Sequence, residues 1–326
     1  MNKYPNYKMI SRCVAILLAT VLWHSAEVSY AADGVEQKAI LITGASTGIG
    51  RNMAETLAAE GHFVYAGARK QADLDALSAI ENIQGIRLDV TVQEEIDAAV
   101  ETIRKGGRGL YGLVNNAGVS VSGPLIEIDE EDMQFQMDVN LFGPYRVTKA
   151  FAPLIIESKG RITTTGSISG ILSGVLYGPY SMSKHAMEAF TDSLAAEMAK
   201  FDVQVSVIEP GNYNSAIVGS KLRRMAERGR TADGSLYVDE IQRLLEQPTD
   251  RSIYKEPDDV SAALMHAMFD EHPKRRYMVV PKSQEAEVTI RQMIGELVQL
   301  NEGQEYTYDR DTLIAMLDEA LATTRR

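Results

Sequence analysis

Two residue types are almost missing from this chain. Of its 326 residues one is cysteine and one is tryptophan. Both, Cys13 and Trp23, fall within the first 31 residues. The remainder can form no disulfide and offers no thiolate to a metal. It has no Cys/His cluster either, so no metal site is expected. Long apolar runs are absent: no stretch reaches the roughly 18 residues that an ordinary membrane span requires. Positive charge is in deficit. Lys and Arg number 33 against 45 Asp and Glu, a net charge of -12. That balance argues against nucleic acid and against an anionic membrane surface as partners. No internal repeat or low-complexity tract is present.

The first 31 residues are different material. Lys3, Lys8 and Arg12 make a basic start, and Cys13 to Trp23 (CVAILLATVLW) an apolar core. Ser29-Tyr30-Ala31 then offers small residues at the -3 and -1 positions of a cut. This order is that of a secretory signal peptide. Cleavage after Ala31 and export to a periplasm or secretory lumen are the first expectation. A retained N-terminal anchor is the second, and a start nearer Val35, with a cytoplasmic protein, the third. Membrane contact is expected only through residues 1–31, if they are kept.

Beyond the leader, short runs rich in Val and Ile alternate with longer helical patterns. Expected strands are Ala39–Thr43, Phe63–Ala68, Gly85–Leu88, Leu110–Asn115, Arg161–Thr165, Val203–Ile208 and Arg276–Val280. Expected helices between them include Ile49–Glu60, Val92–Arg104 and Ser181–Lys200. Unbroken apolar strands alternating with helices predict an α/β fold, a doubly wound parallel sheet. No Pro/Gly-rich linker divides it, so residues 38–281 are read as one domain. Ligands of such sheets bind beyond the carboxyl ends of the strands.

The first strand runs directly into TGASTGIG, Thr43 to Gly50. Glycines there let the backbone turn sharply and approach a pyrophosphate, and a helix N-terminus supplies free N–H groups. The spacing is GxxxGxG, not the GxGxxG of the common dinucleotide fingerprint. At the end of the second strand no acid stands at Ala68 to grip ribose hydroxyls. Arg69 and Lys70 follow instead, and arginine pairs well with a 2′-phosphate. NADP(H) is therefore favoured as cofactor, with NAD(H) the alternative.

The stretch YGPYSMSKHA, Tyr177 to Ala186, holds two tyrosines and a lysine. Pro179 disfavours helix at Gly178 and can itself open one, so Tyr177 is placed in the preceding loop. Tyr180 and Lys184 are i and i+4 on one helical face. An ammonium beside a phenol favours the phenolate, which suits acid–base work. Ser167 follows the fifth strand, NNAG (Asn115 to Gly118) the fourth, and Asp89 the third. Asn140 sits inside a helical stretch, where it must bond to something. His185 is read as packing.

Taken together, TGxxxGIG, NNAG, Asn140, Ser167, Tyr180-xxx-Lys184 and the turn Pro210-Gly211 resemble the short-chain dehydrogenase/reductase family over roughly residues 38–281. The resemblance implies a single Rossmann-like domain that transfers a hydride between NAD(P) and a carbonyl/alcohol pair. It implies catalytic roles for Tyr180 as acid/base and for Ser167 on the substrate oxygen. Lys184 would hold the ribose and depress the phenol, and Asn140 would fix a water behind it. It implies cofactor contacts at Thr43, Gly44, Ser46, Thr47, Gly48, Ile49 and Gly50, and at Arg69, Asp89 and Val90. Further contacts are Asn116, Ala117, Gly118, Tyr180, Lys184, Pro210, Gly211 and Ser215. Ser169 is a second candidate for the serine, and Tyr177 a wall of the substrate site.

Within the family, VYAGARKQADL and the Tyr177–Met198 stretch look most like hydroxysteroid- and retinol-type dehydrogenases. A lipophilic carbonyl or alcohol of steroid, retinoid or fatty type follows as the small-molecule substrate. A homo-oligomer, dimer or tetramer, is expected. The alternatives are a catalytically silent NADP(H)-binding sensor or scaffold and a sugar-nucleotide epimerase or dehydratase. Residues Asn212 to Ile253 are long and charged, without strand patterning, and read as a lid or binding loop. After Pro281 a helical extension is expected, with stripes at Ile290, Met293, Leu297, Leu300 and at Leu313, Met316, Leu317, Leu321. Core or subunit packing is their expected use, a substrate cover the alternative.

Trp23 makes the leader testable. Protein purified from its native cell and cut after Ala31 should show tyrosine-like emission without an indole component. Tryptophan emission with an intact Met1 end rules out cleavage, and soluble protein starting near Val35 points to the later start.

Overall fold

Seven short strands meet in one parallel sheet in the order β3-β2-β1-β4-β5-β6-β7. The computed structural model describes residues 36–324. The strands are β1 (Ala39–Ile42), β2 (Phe63–Ala68), β3 (Ile83–Arg87), β4 (Gly112–Asn115), β5 (Arg161–Thr165), β6 (Gln204–Pro210) and β7 (Arg276–Val279). β1 and β4 are buried at every position, as strands covered on both faces must be. Ile40 pairs with Val64 on one side and Gly112 on the other, which sets the central register.

One core lies on each face. Under α1 (Gly48–Ala59), α2 (Gln71–Ser78) and α9 (Asp258–Phe269), the side chains Ile40, Ile42, Met53, Leu57, Leu264 and Met268 interlock. On the other face α3 (Gln93–Gly106), α5 (Gly143–Glu157) and α6 (Gly178–Met198) cover Leu41, Tyr65, Leu113, Phe151 and Ile155. α4 (Glu130–Met137) packs against α6, and a five-residue π-helical turn, Asp138–Phe142, joins it to α5.

The elements differ from expectation at their ends. β3 begins at Ile83, not Gly85. Gly85 is a contact rather than a start: a Cβ there would lie 2.6 Å from the Leu74 carbonyl of α2. β1 stops at Ile42 because Thr43 turns its backbone toward β4 and Gly44 takes a left-handed φ of 66°. α6 begins at Gly178, with Pro179 in its first turn, so Tyr177 is its N-terminal cap residue. His185 is exposed and its ring bonds the Ser181 carbonyl, so it is not a packing residue.

The stretch read as a loop after β6 carries two helices, α7 (Ile217–Glu227) and α8 (Val238–Leu245). Met225, Ile241, Leu244 and Leu176 form a small third core beneath them. Past β7 come α10 (Ser283–Asn301) and α11 (Arg310–Thr324). Only Thr289 of α10 is buried, while Ile290, Met293, Ile294, Leu297 and Leu317 are exposed. Packing into the core of the same chain is thus not their use. Expectations for the leader fall on residues 1–31, outside the described residues. Among the described residues no helix is long and apolar enough to cross a membrane.

Candidate active site

β1 and β4 are neighbours, but their following segments leave toward opposite faces of the sheet. The gap beyond their carboxyl ends is a cleft of about 530 Å³. Its floor is the Gly44–Gly50 turn. A Cβ on Gly44 would meet the Ala117 Cα at 2.7 Å, and one on Gly50 would meet the Asn116 amide nitrogen at 2.3 Å. Gly44 lets two backbones touch, and Gly50 makes room for the Asn116 side chain. Thr47, which caps α1, makes no side-chain bond to the first-turn amides. Those N–H groups and the positive end of the helix therefore face the cleft unclaimed, which fits a diphosphate.

Behind the floor is a hydrogen-bonded clamp. Thr43 Oγ1 accepts from the Asn116 and Ala117 amides, both at 3.0 Å. Asn116 Nδ2 donates to the Thr43 and Gly44 carbonyls at 3.0 and 3.1 Å, and its Oδ1 accepts from Thr165 at 3.2 Å. One side chain thus ties the ends of three strands. Asn140, buried in the π-turn, donates to the Val119 carbonyl at 3.0 Å and to Ser183 Oγ at 3.1 Å, and accepts from the Val119 amide at 2.8 Å. Its side chain is spent on fixing Val119.

At the far rim Arg69 Nη1 lies 3.6 Å from Asp89 Oδ2. Burial would raise the Asp89 carboxyl, but hydrogen bonds from Thr91 and the Arg69 charge outweigh it and hold it low. Arg69 is 66% exposed and free to turn. Arg223 and Ser220 of α7 reach the same cleft.

At the other end Ser167, Tyr180 and Lys184 converge. Ser167 lies just past β5, with its Oγ accepting from the Ser169 amide at 3.0 Å, so Ser169 supports it rather than replacing it. Burial pushes the Tyr180 phenol up, and a hydrogen bond with Ser167 offsets part of the rise. Lys184 is only 6% exposed. Burial lowers its ammonium to about 8, while Glu188 one turn on pulls it upward. Its Nζ donates to the Thr165 carbonyl at 2.8 Å and sits 5.6 Å from the Tyr180 ring centre. The expected depression of the phenol by Lys184 is therefore corrected: burial raises it, the opposing contact is Ser167, and the ammonium is aimed at β5.

Beneath Lys184 lies a group that the sequence reading passed over. Glu209 of β6 is buried, and desolvation followed by the facing Glu188 raises its carboxyl to about 8. A carboxyl raised this far holds its proton at neutral pH. Arg276 of β7 bonds Glu188 at 3.0 Å and Asp192 at 2.7 Å. The signal was an acid in the apolar strand VSVIEP. Arg223 had none, because only the lid's folding brings it to the cleft.

Of the anticipated residues, Gly44, Ser46, Thr47, Gly48, Ile49, Gly50, Arg69, Asp89 and Val90 line the cleft. So do Asn116, Ala117, Gly118, Ser167, Tyr180, Lys184, Pro210, Gly211 and Ser215. Thr43 and Asn140 stand one layer behind.

A family model for short chain dehydrogenases matches residues 38–226. The mitochondrial D-beta-hydroxybutyrate dehydrogenase of Bos taurus is 36% identical over 275 residues, 76% of this chain and 79% of that protein. Retinol dehydrogenase 16 of Mus musculus is 32% identical over 257 residues, 74% of this chain and 80% of that protein. The crystal structure of a short-chain dehydrogenase from Streptomyces avermitilis superposes with a TM-score of 0.64 at 27% identity, covering 89% of this chain and 98% of that one.

Proposed function

The chain belongs to the short-chain dehydrogenase/reductase family of NAD(P)-dependent oxidoreductases, and we propose that it interconverts a carbonyl and an alcohol at Ser167, Tyr180 and Lys184. The observation that carries this reading is their convergence at one end of a cleft whose other end fits a dinucleotide. In reduction Tyr180 Oη gives its proton to the carbonyl oxygen, and in oxidation it takes one from the hydroxyl. Ser167 Oγ donates to that same oxygen and fixes its place. The raised phenol is protonated at neutral pH, the form that reduction needs. The buried Lys184 ammonium keeps a positive charge beside the reacting oxygen at neutral pH. A bound nicotinamide supplies or takes the hydride. The Gly44–Gly50 turn, Asp89, Asn116 and the Pro210-Gly211 turn would hold the cofactor, and Asn140 positions the adjoining Val119.

Tyr180→Phe should lower turnover by roughly 10²–10⁴-fold. Cofactor affinity, titrated by calorimetry, should stay within about threefold of wild type, a limit set well below the tenfold that one 1.4 kcal/mol contact represents. Wild-type turnover in the variant sinks the mechanism. Wild-type protein that binds cofactor but oxidises and reduces nothing points to the sensor reading instead.

NADP(H) is the favoured cofactor, on the basic pair Arg69-Lys70 at the rim and Arg223 across from it. Arg69→Ala should raise KM for NADPH by about tenfold or more, the worth of a charge-assisted contact, and leave NADH little changed. A wild-type preference for NADH refutes the assignment.

The substrate is read as lipophilic, on likeness to retinol-type relatives. Export or N-terminal anchoring rests on the ordered basic, apolar and small-residue signals of residues 1–31.

Self-association is supported by the faces of α10, where Ile294 and Leu297 are 55% and 50% exposed among neighbours of the same kind. Ile294→Glu with Leu297→Glu should convert a dimer or tetramer to monomer in sedimentation. An unchanged mass for the double variant, or a monomeric wild type, removes this role.

A further inference from the structure

Lys221 of α7 is 4% exposed and has no carboxylate partner among the described residues. A buried ammonium without an anion is costly. Its one hydrogen bond is long, 3.4 Å to Gln247 Oε1. Its Nζ also lies 5.2 Å from the centre of the Tyr177 ring. Burial and the charge of Arg251 lower it to about 8, so it is still a cation at neutral pH. Beside it Ser122, 7% exposed, has a buried Oγ with no partner in the protein.

Lys221 and Ser122 line a common cavity of about 10 Å³, room for one oxygen-sized atom. Arg224, Arg228 and Asp132 line it too. The charges there are not equivalent. Asp132 is claimed by Arg224 at 2.7 Å and Arg230 at 3.1 Å, and Arg228 by Glu131 at 2.9 Å. Lys221 alone is left over.

The cavity is tied to the helix that carries Tyr180. The Gly123 amide donates to the Leu176 carbonyl at 2.9 Å, tying the loop of Ser122 to the turn before α6. Tyr177 caps that helix, and Tyr180 is in its first turn. Met225 lines the cavity and shares one apolar cluster with Leu176, the residue before Tyr177.

We propose that Lys221 and Ser122 form a subsite for the carboxylate of the substrate, which is then a hydroxy or oxo acid with an apolar chain. The subsite rests on the oxidoreductase reading for its place in the reaction, but its ligand chemistry does not. A carboxylate oxygen would accept from the Lys221 ammonium and the Ser122 hydroxyl at once, satisfying both. The chain then lies along Leu176 and Met225, and the carbon to be oxidised faces Tyr180.

Calorimetric titration of the full-length protein, with saturating NADP⁺, tests this with octanoate and its neutral counterpart octanamide. Octanoate should bind about 10–100-fold tighter, the range of a charged hydrogen-bonded contact. Lys221→Met should bring that ratio near one, Lys221→Arg should retain part of it, and Ser122→Ala should reduce it. Wild-type protein that binds both ligands alike overturns the subsite without any variant. So does a ratio that survives in Lys221→Met. Oxidation of 3-, 4- and 5-hydroxyoctanoate and their methyl esters separates the two proposals. Lys221-dependent octanoate binding without turnover of any acid or ester leaves the subsite standing and removes the oxidoreductase reading. Equal turnover of acids and esters removes the subsite's part in substrate choice and leaves the oxidoreductase reading.

Discussion

The site hangs on Asn116. Its amide reaches back to the Thr43 and Gly44 carbonyls and sideways to Thr165, while Thr43 returns two bonds to the same segment. These contacts hold the ends of β1, β4 and β5 in one arrangement. The diphosphate end of the cleft lies on one side of the clamp and the Ser167–Tyr180–Lys184 end on the other. Backbone polar groups at strand ends must find partners. Here the partners are side chains, so the carboxyl edge of the sheet is rigid where a ligand would lie. Gly50 follows from the same constraint, since any side chain there would collide with the Asn116 amide.

Lys184, Glu209 and Lys221 are all buried, and each meets the cost differently. Lys184 turns its ammonium to the Thr165 carbonyl. Glu209 keeps a proton because burial, and then the facing Glu188, raise its carboxyl, and Arg276 reaches both acids from β7. Lys221 has neither a proton-sharing partner nor an acid. Two of the three charges are thus settled by the fold, and the third is left to a ligand. Glu188, one turn after Lys184 on the same face of α6, also links the cleft to β7 through Arg276.

Much of the fold was legible in the chain because buried parallel strands write themselves as unbroken apolar runs. All seven were placed, and their errors were confined to ends. Those errors share a cause. Gly85 read as a boundary because a glycine interrupts a pattern, yet it marks the approach of α2 to β3. The lid read as a loop because it is long, charged and without strand patterning, yet α7 and α8 are amphipathic and bury Met225, Ile241 and Leu244. The stripes of α10 and α11 were visible, but a stripe does not say what covers it.

The cleft divides along the same line. Gly44, Gly48, Gly50, Asn116, Ser167, Tyr180 and Lys184 could be singled out from sequence, because a turn, a strand end or a helical face dictates each locally. The state of the phenol could not. It depends on how much water the fold removes and on where Lys184 points, and both are decided by neighbours far apart in the chain. Glu209 is only an acid in an apolar strand until α6 and β7 set Glu188 and Arg276 beside it, and Lys221 is an ordinary letter until α7 packs down. Composition and local pattern determined which residues stand at the ends of which elements. Only the tertiary structure decided which charges find partners, because burial and pairing are properties of segments brought together and not of any one segment.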